Sequence, residues 1–153
     1  MRRRVVAALL AVLLVCAGCG GASAKQAATT DQFIAAAEAL SFSTTDLTDK
    51  YGDEVYVVSV IMASKGQSEI DFFVLVSDEF AAGVFDSNMK NIQQLEVPGV
   101  THGSGANGSY QRYWVQLPND YWLVVQVGET VLFAHVTMDE MDTLNTLLSK
   151  LSY

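Results

Sequence analysis

The chain has 153 residues, 17 acidic against 9 basic side chains, and a formal net charge of −8. After the first four positions its lysines and its single further arginine stand singly, so the clustered cationic surface that displaces counterions from nucleic acid is missing, and no nucleic-acid partner is expected. Both cysteines, Cys16 and Cys19, lie near the start; everything beyond Gly20 must be held together by an apolar core, without disulfides or thiol chemistry.

Met1-Arg2-Arg3-Arg4 followed by an apolar run through Val15 has the layout of a secretion signal, a cationic head on a short apolar segment. Residues 5–18 number 14, whereas a helix needs about 20 apolar residues to cross a ~30 Å hydrocarbon core, so a permanent spanning helix is not expected. The run ends in Cys16-Ala17-Gly18-Cys19, which resembles the lipobox of bacterial lipoproteins. That resemblance implies cleavage after Gly18 and a diacylglycerol on the Cys19 thiol, with residues 1–18 as the signal peptide. The chain departs from the family pattern in carrying Cys16 where Leu is usual. Removal of Arg2, Arg3 and Arg4 with the signal would leave 6 basic against 17 acidic residues, a net charge of −11. Anionic lipid would repel such a domain, so the acyl chains on Cys19 must supply the membrane affinity, at about 0.8 kcal/mol per buried methylene.

Residues 19–29, small and polar, read as the lipidated cysteine and a flexible tether, and residues 30–153 as one domain. Thr30 is placed to cap a helix over 31–40, with Phe33, Ile34, Ala37 and Leu40 at helical spacing. A short edge strand runs through Phe42, and Tyr51-Gly52-Asp53 is turn material. Residues 54–63 and 68–76, rich in β-branched and aromatic side chains, predict a hairpin. Ser77 caps a helix over 78–94, whose apolar face holds Phe80, Ala81, Val84, Phe85, Met89 and Ile92. Gly83 within it costs about 1 kcal/mol relative to Ala, which a close approach of helix to sheet would explain. Residues 98–109, with Gly99, Gly103, Gly105 and Gly108, read as a long loop. Strands follow at 110–117, 121–127 and 131–136, with Gly128 at a positive φ in the last turn; both faces of the latter two are apolar, which places them centrally. Thr137 and Glu140 form the two ends of a capping box that opens a final helix with Met141, Leu144, Leu147, Leu148 and Leu151 on one face.

The order α-β-β-α-β-β-β-α predicts an α+β fold: a mostly antiparallel sheet of five to six strands with helices packed on one face. With its Phe-rich helix, Gly/Asn segment, Val-Gly-x-Thr hairpin and Leu-rich last helix, the mature part resembles small lipoproteins of Gram-positive anaerobes. That resemblance spans most of residues 30–153 and implies a location, on the extracytoplasmic face of the cell membrane; it implies no activity.

The two histidines, His102 and His135, show no metal-binding spacing, and neither a metal nor a cofactor is expected. Ser104, between Gly103 and Gly105 and near His102, is the one nucleophile with a base nearby, but it lacks the strand-to-helix elbow setting of hydrolases. Asp46, Asp49, Asp53 and Glu54 depart from a calcium loop, while Asp139, Glu140 and Asp142 suit a helix start. Glu69 and Asp71 share one strand face. Most informative is an aromatic group, Tyr110, Arg112 and Trp114 alternating on one strand and Trp122 on the next, able to stack a sugar or grip a peptide. The sequence thus points to a lipid-anchored, non-enzymatic binding or interaction module of the cell envelope, with an envelope protein or glycan as partner. The rivals are an envelope hydrolase using Ser104 and His102 and a structural or inhibitory subunit of an envelope complex.

Overall fold

The computed structural model describes residues 25–153, so the expected signal peptide, Cys19 and the first part of the expected tether lie outside the described residues. The chain runs α1 (Thr30–Glu38), β1 (Ser43–Asp46), a 3-10 turn (Thr48–Tyr51), β2 (Val57–Lys65), β3 (Ser68–Leu75), α2 (Asp78–Gln93), β4 (Thr101–Asn107), β5 (Tyr110–Gln116), β6 (Asp120–Val127), β7 (Thr130–Thr137), a second 3-10 turn (Met138–Glu140) and α3 (Met141–Lys150). This is an α+β fold.

Seven strands form one sheet in the order β1-β2-β3-β7-β6-β5-β4, every neighbouring pair antiparallel. The first three strands form a meander. Helix α2 then carries the chain across the sheet to its far edge, and β4 to β7 return strand by strand until β7 docks on β3.

Helices cover both faces, not one as the sequence pattern predicted. Phe33 and Ala37 of α1 and Leu144, Leu147 and Leu148 of α3 bury one face, against Ile70, Phe72, Leu123, Val125, Leu132 and Ala134. Phe33 stacks on Phe72 with ring centroids 4.7 Å apart. On the opposite face Ala81, Phe85 and Ile92 of α2 cover Val115, Val124 and Val131. The cause is in the central strands: Leu123, Val124 and Val125 are all buried, and since successive side chains point to opposite faces, each face needs its own cover.

The strand count exceeds the five to six expected because 101–107, read as loop, is the edge strand β4. Asn107 pairs with Tyr110 around a two-residue turn, with Gly108 at φ 61° in the first position, as a type II′ connection requires. Two helix starts also differ. Thr29, not Thr30, caps α1, accepting from the Gln32 amide while the Gln32 side chain accepts from the Thr29 amide. The expected Thr137–Glu140 capping box does not form. The Thr137 amide donates to Ser68 Oγ at 3.1 Å, Glu140 pairs with Lys65 at 3.0 Å, and α3 starts at Met141 behind a 3-10 turn.

The domain also begins earlier than residue 30. Ala28 is buried, its amide donates to the Tyr153 hydroxyl at 3.1 Å, and Lys25 Nζ donates to the Ser152 carbonyl at 3.3 Å. Tyr153 is bonded in turn to Thr130 Oγ1. Residues 25–29 therefore lie on the domain instead of belonging to the tether. Among the described residues no helix is long and apolar enough to cross a membrane.

Candidate functional site

The four residues of the expected aromatic face do not share a surface. Tyr110, Arg112 and Trp114 stand opposite Val127, Val125 and Leu123 of β6, on the α1/α3 side of the sheet. Trp122 pairs with Val115 and His135 and points to the α2 side, one residue out of phase with the others. All four are partly buried and engaged within the fold. Lys25 Nζ sits 4.8 Å from the centre of the Tyr110 ring. The Trp114 ring stacks on Tyr121 with centroids 5.9 Å apart, and burial pushes the Tyr121 pKa up, an effect that the positive charge of Arg112 partly offsets. Trp122 stacks on His135 at 4.0 Å, and His135 Nε2 lies 3.0 Å from Asp120 Oδ1.

The two histidines occupy one row across the α2 side, through the register His102–Val115–Trp122–His135. Three strand spacings of ~4.8 Å separate them by about 14 Å. Ser104 and His102 both lie on β4, two residues apart on an exposed edge strand, and His102 Nε2 faces Glu96 at 3.7 Å. Among the described residues no three His, Cys, Asp or Glu side chains converge on a point that would hold a metal ion. In the first acidic cluster the exposed Asp46 accepts from the Thr48 amide at 2.8 Å, and hydrogen bonding to Thr48 lowers its pKa. Glu69 and Asp71 do share a face. Burial first, and Glu69 second, raise the Asp71 carboxyl to about 6, and its buried Oδ1 has no hydrogen-bond partner.

A concave surface lined by aromatic rings lies elsewhere, along the exposed flank of α2. Between the first turns of α2 and the segment leading into β2 lies a groove of about 600 Å³. That size falls within the range of small-molecule sites. One wall is the stacked pair Tyr56–Phe80, centroids 5.2 Å apart and nearly parallel; the other is Tyr51 edge-on to Phe73 at 6.0 Å. Glu54, Glu79, Ser87 and Asn88 supply the polar lining, with no basic side chain among them. Glu54 is the main cause of the raised Tyr56 pKa.

Gly83 lines this groove, and the space beside it corrects the reading made from the sequence. A Cβ placed on Gly83 would meet nothing within 4 Å, so no close approach to the sheet demands a glycine there. Phe80, expected on the buried face, is 46% exposed. The 54–56 segment, expected as strand, is instead a turn closed by Glu54 N to Tyr51 O at 2.8 Å and Val57 N to Glu54 O at 2.9 Å; β2 starts only at Val57. Mid-helix Gly83 was the one signal of the groove in the sequence. The rings that line it come from three separate stretches, which periodicity cannot connect.

Comparison with protein-family models, with curated proteins and with solved structures returns no match.

Proposed function

We propose that this chain is a membrane-tethered extracytoplasmic binding module: residues 1–18 direct export, lipid on Cys19 holds the protein at the membrane, and the groove along α2 takes a small ligand. The observation that carries the binding half is the groove itself, a concavity with four aromatic rings, two carboxylates and an open glycine on its helical wall. The β5 aromatic row supports binding less well, because Tyr110, Arg112 and Trp114 already have partners within the fold.

The anchoring half rests on the Ala17-Gly18-Cys19 sequence, and the fold is compatible with it. Ala27 and the Asp78 carboxylate both lie beside Gly128, so the chain enters the domain at the end of the sheet where α2 begins. Lys25 lies six residue steps beyond Cys19, about 20 Å when extended. The Glu79–Phe80 end of the groove would then stand near the bilayer surface. The test is fractionation of the full chain expressed in a bacterium that processes lipoproteins. The wild type should pellet with membranes and Cys19→Ala should be lost from them; tight membrane association of the variant would contradict the anchor.

A further inference from the structure

Resting on the groove as the ligand site, we propose that its ligand is an organic cation, an ammonium group carried on an apolar body. Four aromatic rings line the groove, and ring faces attract cations through their quadrupoles, more strongly where the cation is desolvated. An apolar neutral ligand would use the same rings, so charge has to decide. Glu54 and Glu79 both line the groove, and neither forms an ion pair with any Lys, Arg or His among the described residues. An anion would meet two carboxylates without a compensating positive charge, whereas an ammonium group gains from both.

Two further details suit the apolar body of such a ligand. Tyr56 stacks nearly parallel on Phe80, centroids 5.2 Å apart. Its stacked partner Phe80 is 46% exposed, so the paired rings present an edge that a ligand's apolar body can extend. Gly83 keeps the helical wall open, with nothing within 4 Å of where a side chain would begin, and the helix forgoes the better propensity of alanine there.

The test is calorimetric titration of the full chain in a neutral maltoside detergent with three probes of like size: benzyltrimethylammonium, benzyl alcohol and phenylacetate. The proposal expects the ammonium probe to bind at least about tenfold more tightly than the alcohol, in line with a cation–π and carboxylate contribution, and phenylacetate not to bind. Glu54→Gln with Glu79→Gln should weaken the ammonium probe about tenfold and leave the alcohol unchanged. Gly83→Leu should abolish binding of both while the far-ultraviolet circular dichroism is retained. Equal affinity for alcohol and ammonium, or indifference of the ammonium probe to loss of both carboxylates, overturns the cation and leaves the groove as a site. Binding of no probe, or binding that survives Gly83→Leu, overturns the groove reading as well.

Discussion

The indole of Trp114 lies directly over Gly103, its partner across the β4–β5 pair: a Cβ on Gly103 would come within 2.8 Å of Cε2 and Cζ2 of the ring. The edge strand thus has a glycine where an aromatic side chain from the neighbouring strand needs the space. Gly103→Ala should push the ring off Tyr121 and cost about 1–3 kcal/mol, the range for overpacking, with a change in tryptophan fluorescence. Gly105→Ala, whose Cβ would meet Arg112 Cγ at an ordinary 3.6 Å, should cost far less. Equal denaturation midpoints for the two variants would contradict this.

Asp71 makes stability depend on pH. Its carboxyl is raised from 3.8 to about 6 in the folded state, so between those values the folded chain holds a proton that the unfolded chain has lost. Stability should therefore fall as pH rises from about 4 to about 6, and the full penalty should persist above that. Asp71→Asn should remove this slope and stabilise the protein by about 1–2 kcal/mol at pH 7.5, a figure discounted for the partial exposure of the group. Urea melts of both proteins at pH 4 and pH 7.5 measure it. A variant gain that is the same at both pH values would be the contrary result.

Because a methyl group on Gly83 meets nothing within 4 Å, Gly83→Ala should raise stability by up to about 1 kcal/mol through helix propensity alone. Thermal melts check this. Destabilisation would show that the helix backbone needs the glycine for a reason other than the groove.

Tyr153 ties the entry of the chain to its last helix. Its hydroxyl bonds both the Ala28 amide and Thr130. Tyr153→Phe removes both bonds and should cost about 1–2 kcal/mol. The larger effect should be local, as faster amide exchange and proteolysis across residues 25–28 than in the wild type. Unchanged exchange at Ala28 would mean that packing alone holds that segment.

The α+β class and the hairpin of β2 and β3 are legible because period-two runs of β-branched and aromatic residues bounded by turn residues have one reading. The strand β4 is not, because Thr101-His102-Gly103-Ser104-Gly105 looks like loop until Trp114 is seen to occupy the space above Gly103. The two-sided cover was visible in part: consecutive apolar residues at Leu123, Val124 and Val125 already call for helices on both faces. Parity likewise separates Trp122 from Tyr110, Arg112 and Trp114 only once the β5–β6 register is known. The groove escapes a reading of the sequence because Tyr51, Tyr56, Phe73 and Phe80 belong to a 3-10 turn, a loop, a strand and a helix that meet only in the folded chain.

The proposed anchor on Cys19 is the claim on which the proposed location depends, and mass spectrometry of the mature protein from a lipoprotein-processing bacterium tests it most directly. The account predicts a first residue at Cys19 carrying a diacylglyceryl thioether. A mature chain that begins at another residue, or that retains an unmodified Cys19 thiol, would contradict it.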